Sequence, residues 1–509
     1  MKFRIQTFVS FFLFAAFGVS TAQGLALENY GASCDVTYGA LKTNAPLPDP
    51  FAMNDASRIS TKDEWACRRN EIKKDLEQYE IGPKPDPSTA TVAATLSGSG
   101  NALSVKITTK DGSITLTSNV SGSGSCVAIG MNGNALNISG CRQIPFNHDQ
   151  VVTYANGSGS HNTNDPFYTV YPDLKGKIGK YAAWSWGISR LIDGIEQVKE
   201  QLGVDMSKIG LQGCSYAGKM ALFGGALDER VALTIAQESG GGGINSWRTS
   251  QAFYSRTGTD IEKIDNTNYS WFLSNMKNLS PSQLPHDHHE LIAMIAPRAV
   301  IALGNPGFVW LGDESGYKSV MAAKEVWKAF GIPENIGYDF TGGHEHCSAA
   351  SQQVTSINAF VNKFLKGQSA STEITIQPSQ TGFDLTLGQS TIDWTTPTLT
   401  GVYPPASSSS VISSSSSAIG SSSSSADEPL AIAYAKIPSN HFSVFSMSNG
   451  ILQIESGMNA SIELYSTRGN LILKNEIKAG ASTVKINVSA GLYVLKNSVT
   501  GKAQMVVVK

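Results

Sequence analysis

The chain has 509 residues, too many for one ordinary core, and its 39 basic and 41 acidic side chains nearly cancel. That balance argues against the broadly basic face that nucleic acid or an anionic membrane surface would need. Gly, Ser, Thr and Asn are plentiful and charged residues few, a composition common among exported proteins.

Lys2 and Arg4 precede an apolar run from Phe8 to Val19, and the small residues Ser20, Thr21 and Ala22 follow it. A basic start, a short apolar core and small residues before a cut read as a secretory signal over residues 1–22. The mature chain then starts near Gln23 and is secreted or held at the cell surface. No other stretch reaches the roughly 18 consecutive apolar residues of a membrane span. In an oxidising compartment Cys34, Cys67, Cys126, Cys141, Cys214 and Cys347 read as disulfide partners. No Cys-x-x-Cys pair favours a metal. Cys126 and Cys141 flank a short Gly/Asn-rich stretch and are placed to close a hairpin.

Residues 23–404 are expected to form one large α/β domain. Lys208 to Gly213 reads as a buried strand, Lys219 to Leu227 as a helix and Ala232 to Ala236 as another strand. Ala299 to Leu303 is a further strand, followed by an amphipathic helix from Val320 to Phe330 and a strand from Ile336 to Phe340. Strands alternating with helices imply a mostly parallel central sheet covered on both faces. Ligands of such sheets bind beyond the carboxyl ends of the strands.

Three serine runs, Ser407–Ser410, Ser413–Ser417 and Ser421–Ser425, mark residues 405–428 as a linker that cannot bury enough apolar surface to fold. Residues 429–509 then show short strand patterns, such as Ile451 to Ile454, Ala460 to Tyr465 and Gly491 to Leu495. Ser466-Thr467 leads into a turn at Arg468-Gly469-Asn470, and the whole reads as a small β-sandwich. In its Gly491-Leu492-Tyr493-Val494 strand and its closing Met505 to Lys509, this tail resembles the C-terminal sorting domains of type IX-like secretion systems. The resemblance implies a partner in the secretion machinery; a carbohydrate-binding or spacer module is the rival reading.

Gly213-Cys214-Ser215-Tyr216-Ala217-Gly218-Lys219 lies between a strand and a helix. A serine in such a sharp turn exposes its Oγ above a helix N-terminus, as in the nucleophile elbow of α/β-hydrolases. The second glycine comes one residue late, with Ala217 in its place; a helix-capping serine is the alternative. Ser215 needs a base. Of the eight histidines, His148, His161 and His441 lie in polar or remote contexts. His286-Asp287-His288-His289 reads as a satisfied loop or helix start. Gly342-Gly343-His344-Glu345-His346-Cys347 follows the last strand, where this fold's chain order places the base. His344 and His346 lack the i, i+4 spacing of a zinc motif, and no third ligand is tied to them. The acid is Glu238, at the end of the strand after the elbow helix, with Asp313 and Glu314 as fallbacks.

Further stretches extend the pattern: Leu47-Pro48-Asp49-Pro50-Phe51, Trp65-Ala66-Cys67-Arg68-Arg69, Tyr181 to Gly187, Asp228-Glu229-Arg230, Gln237-Glu238-Ser239-Gly240, Ala296-Pro297-Arg298 and Trp310-Leu311-Gly312. Together with Gly213-Cys214-Ser215, His288-His289 and His346-Cys347, they make residues 30–368 resemble the glucuronoyl esterases of carbohydrate esterase family 15. The resemblance implies a Ser215–His346–Glu238 triad, disulfides Cys214–Cys347 and Cys34–Cys67, and Cys126–Cys141 by subtraction. It implies that Lys219 and Trp310 grip a sugar, with Glu262 and Asn268 near the positions of two further sugar ligands, across a short deletion. Tyr216 supplies an oxyanion N–H where the family usually carries arginine, and Ser246 stands where a further disulfide would begin. No cofactor or metal is implied. The expected activity is hydrolysis of 4-O-methyl-glucuronoyl esters joining glucuronoxylan to lignin alcohols in plant cell walls. An acetyl or feruloyl esterase, or a glycan-binding protein with a decayed site, are the alternatives.

Overall fold

The computed structural model describes residues 28–403, apart from 132–135, 137, 156–163 and 390, and then the strands between 442 and 508 with residues 459 and 478. The expected signal segment, the serine-rich tract and the turn at residues 468–470 lie outside the described residues, as do His161 and His441. The chain divides into two compact units, Met1–Pro405 and Ala406–Lys509.

In the first unit a small antiparallel sheet comes first: β1 (Thr91–Ser97), β2 (Ala102–Thr108) and β3 (Ser113–Asn119) pair in sequence. Burial alternates along β2 and β3, so one face packs on the body and the other meets solvent. The central sheet uses β4 (Cys126–Gly130), β5 (Cys141–Gln143), β6 (Ile209–Cys214), β7 (Val231–Gln237), β8 (Ala299–Leu303), β9 (Ile336–Asp339) and β10 (Thr375–Ile376). Its order is β10-β9-β8-β7-β6-β4-β5, and every one of these pairings is parallel.

Alternate residues of these strands join two different cores. Val127, Ile129, Val300 and Ala302 pack with Ile188, Met220 and Phe223, which come from the helices Lys180–Gln197 and Tyr216–Leu227. Ala128, Ile235, Ile301 and Leu303 pack on the other side with Ile357 and Phe360 of the helix Ser351–Phe360. Both faces are covered, which is why the strands read as continuous apolar runs rather than alternating ones. Among the described residues no helix is long and apolar enough to cross a membrane.

Two boundaries differ from the sequence reading. The helix after β6 begins at Tyr216, not Lys219, because its first turn carries Ala217 and Gly218, which read locally as turn residues. The long helix before β9 begins at Asp313, not Val320, since its polar first turn is buried rather than solvated. The hairpin expected at Cys126 and Cys141 is absent. These residues are register partners on the parallel strands β4 and β5, bridged by a disulfide. Parallel neighbours need a crossover, not a tight turn.

The second unit contains two antiparallel sheets: a three-stranded one of β11 (Phe442–Ser448), β12 (Ile451–Ser456) and β15 (Gly480–Lys485), and a four-stranded one. The latter is ordered β14 (Leu471–Ile477), β13 (Ala460–Ser466), β16 (Gly491–Asn497) and β17 (Ala503–Val508). The three strand segments read from the sequence fall within β12, β13 and β16.

Candidate active site

β6 delivers Ser215 beyond the carboxyl edge of the sheet with φ 59° and ψ −127°, a conformation that a residue with a Cβ adopts only under constraint. The constraint is visible. Ser215 N–H donates to Gln237 O of β7 at 3.0 Å, and its own carbonyl accepts Lys219 N–H at 3.0 Å. The displaced glycine also has an explanation. A Cβ on Gly218 would lie 2.4 Å from Gln237 O, so this position must be glycine for the helix to dock on β7. Ala217 is accommodated in the core beside it. As the first residue of the helix, Tyr216 presents a backbone N–H without an intrahelical acceptor, beside the serine.

Glu238 directly follows β7, at φ 44° and 1 % exposed, with its N–H bonded to Leu303 O at 2.7 Å. Its Oε2 lies 2.6 Å from His346 Nδ1, and its Oε1 accepts from Cys347 N at 3.2 Å and Gln237 Nε2 at 3.3 Å. A carboxylate facing Nδ1 fixes that nitrogen as the protonated one and leaves Nε2 as a base. The disulfide Cys214–Cys347 bonds the residue before Ser215 to the residue after His346. Serine and histidine are thereby held as neighbours across 131 positions of sequence, 346 minus 215. Because both sulfurs are bonded to each other, this corner has no thiolate to offer a metal.

The other candidates separate clearly. His344 Nδ1 is 3.9 Å from Glu238, and its Nε2 instead meets Thr341 O at 2.9 Å while Asn305 Nδ2 donates to its carbonyl. Asp313 is buried at the start of its helix, where burial pushes its carboxyl up to about 7, and it makes no bond to His346. Glu314 is engaged by Arg256 and by Asp384 N–H.

A cavity of about 320 Å³ opens beside Ser215 and Glu238, and Lys219, Glu262, Asn268 and Trp310 all line it. Lys219 Nζ forms an ion pair with Glu262 Oε2 at 2.8 Å and lies 5.5 Å above the Trp271 ring. Asn268 sits at the wall with its amide turned to the loop: Nδ2 donates to Ala155 O, and Oδ1 accepts from Ser270 N–H and Oγ. Trp310 is 46 % exposed and meets the His346 ring edge-on at 4.9 Å. Ser246 Oγ, at the position of the missing disulfide, meets Ser319 Oγ at 2.8 Å.

Two residues escaped the sequence reading. Trp271 lines the cavity, and a lone tryptophan among Tyr269, Ser270 and Phe272 carries no signal beyond that of a core residue. His148, read as remote, is 2 % exposed and its Nε2 lies 3.1 Å from the Tyr216 hydroxyl, while Tyr154 packs on the Tyr216 ring at 4.2 Å. Asp149 Oδ1 is 2.9 Å from its Nδ1, off the ideal hydrogen-bond direction, and burial holds the imidazole below its ordinary pKa. The Tyr216 side chain is thus held within an aromatic cluster.

A family model described as glucuronyl esterase, fungi, matches residues 100–331. The 4-O-methyl-glucuronoyl methylesterase of Thermothelomyces thermophilus is 38 % identical over 371 residues, covering 70 % of this chain and 90 % of that protein. The crystal structure of a recombinant glucuronoyl esterase from Sporotrichum thermophile superposes with a TM-score of 0.66 at 36 % identity, over 72 % of this chain and 100 % of that one. A serine-to-alanine mutant of the Sporotrichum thermophile enzyme, in complex with methyl 4-O-methyl-β-D-glucopyranuronate, gives a TM-score of 0.65 at 35 % identity, with the same coverage. The parallel seven-stranded sheet, the strained serine above it and these likenesses agree: the chain belongs to the glucuronoyl esterases of carbohydrate esterase family 15, a family of carboxylic ester hydrolases.

Proposed function

We propose that this protein hydrolyses 4-O-methyl-glucuronoyl esters linking glucuronoxylan to lignin alcohols, with Ser215 as nucleophile. The observation that carries the reading is the 2.6 Å Glu238–His346 contact, fastened beside Ser215 by the Cys214–Cys347 disulfide. His346 Nε2 takes the Ser215 proton as Oγ attacks the ester carbonyl, and Glu238 stabilises the imidazolium that forms. The Tyr216 N–H donates to the oxyanion. His346 returns the proton to the departing alcohol, and water then releases the uronate by the same steps in reverse. Lys219 and Glu262 supply a donor and an acceptor for sugar hydroxyls, and Trp271 and Trp310 supply apolar faces for the ring. The related enzyme in complex with a methyl uronate ester supports this substrate class.

Ser215→Ala should abolish turnover of a methyl 4-O-methyl-glucuronate ester while leaving the melting temperature nearly unchanged; undiminished turnover would sink the assignment. Acetyl and feruloyl esters run beside it should be poor substrates. The N-terminal segment is assigned to export. We assign the tail to sorting on the resemblance of its Gly491-Leu492-Tyr493-Val494 strand and closing Met505 to Lys509 to type IX-like sorting domains, and its deletion should block export without altering turnover.

A further inference from the structure

The run His286 to His289 sits at the start of the helix His288–Ala293, which Asp287 caps through His288 N–H. His288 is fully buried, and both of its ring nitrogens face oxygen. Nε2 lies 2.6 Å from Glu80 Oε1, and Nδ1 lies 2.5 Å from the carbonyl of Gly243. A peptide carbonyl can only accept, so Nδ1 carries a proton. The state of Nε2 then depends on Glu80. The other oxygen of that carboxyl receives Trp247 Nε1–H at 3.3 Å and faces His286 Nε2 at 2.9 Å. An acid surrounded by donors is held ionised.

We infer that His288 is held as an imidazolium, paired with the Glu80 carboxylate, and that it is a positioning residue for the glycine loop lining the substrate cavity. Burial opposes the charge on both partners, and their mutual attraction outweighs it: His288 sits above the ordinary histidine pKa and Glu80 below the ordinary carboxylate one. Asp287, beside His288, adds to the attraction, while Trp247 and Phe223 pack their rings edge-on against the imidazole and bring no charge.

The link to the site is short. Gly240 and Gly241 line the cavity. The loop presses so closely on Glu262 that a Cβ on Gly241 would lie 2.4 Å from the Glu262 carbonyl. Glu262 in turn holds Lys219. Consecutive glycines have little shape of their own. A charge-assisted hydrogen bond to the Gly243 carbonyl pins the end of the loop, so that Glu262 and Lys219 keep their places. This role rests on the substrate reading given above; the charge on His288 does not.

Two measurements test it on the full-length enzyme. With ¹⁵N-labelled histidine at about pH 9, well above the ordinary histidine pKa of about 6.5, one of the eight imidazoles should still show both nitrogens as imidazolium, and Glu80→Gln should abolish that signal. Eight neutral rings at this pH would overturn the charge: a protonated Glu80 would then be donating to a neutral His288. In kinetics on methyl 4-O-methyl-glucuronate, His288→Gln should raise KM about 10-fold, the worth of one charge-assisted bond, with kcat changed less than about threefold. An unchanged KM, or equal losses in kcat and stability alone, would overturn the positioning role. A wild-type enzyme that ignores the uronate ester would fail the substrate reading instead, leaving the nuclear resonance result standing.

Discussion

Two of the histidine–carboxylate contacts among the described residues are both 2.6 Å long, and the roles proposed for them are opposite. His346 faces Glu238 at 2.6 Å through Nδ1 and its side chain is 28 % exposed, so the ring remains reachable by a second partner. His288 faces Glu80 at 2.6 Å through Nε2 and has its second nitrogen closed by a carbonyl, with no exposure at all. A general base needs one nitrogen free of any permanent partner; a brace uses both. The number of free nitrogens, and not the presence of a carboxylate partner, separates the two roles.

The sharpest way to break that contrast is to remove His346. His346→Ala should lower kcat by about 10⁶-fold, as loss of a triad base does elsewhere, with the fold intact by circular dichroism. Glu238→Gln leaves an amide at Nδ1 that can donate, which permits the wrong tautomer. We expect about a 10⁴-fold fall in kcat, and a fall of only a few-fold would overturn Glu238 as the acid.

Much of the first pair could be read from residues in order, and almost none of the second. β6 and its serine announce themselves as an apolar run ending in Gly-x-Ser, and the glycine at 218 that spoils the usual spacing proves to be set by contact with β7. Glu238 and His346 follow from chain order and family resemblance. The partners of His288 lie 208 and 45 positions away, at Glu80 and Gly243, and no local period encodes such a meeting. The same limit explains His148, 68 positions from Tyr216, and the parallel pairing of Cys126 with Cys141, where a short spacing was read as a turn.

The disulfide offers a subtler separation, because it holds His346 near Ser215 without involving the side chain of either. Replacing both Cys214 and Cys347 by serine opens a loop of 133 residues. We expect a loss of about 2–5 kcal/mol in unfolding free energy, read by denaturant titration, with a kcat fall of about 10-fold or more. Full activity in the double variant would mean that Glu238 alone places His346.

The smallest expected effect compares His288 with the residue next to it. His289 is equally buried, but its Nε2 meets only the Pro48 carbonyl at 2.7 Å and its Nδ1 has no partner. Burial therefore wins there and lowers its pKa to about 4. The two neighbours must then respond to pH with opposite signs. Between about pH 6.5 and 4 the unfolded chain protonates His289 while the folded one does not, so stability falls as acid is added, by up to about 3 kcal/mol. His288, with a raised pKa, contributes in full below about pH 6.5 and loses that contribution as pH rises through its folded value. His289→Gln should flatten the acid limb of a plot of unfolding free energy against pH and leave the alkaline limb alone. If the acid limb survives in that variant, the proton uptake belongs to another group and His289 is charged in the fold, which would remove the contrast between the two adjacent rings.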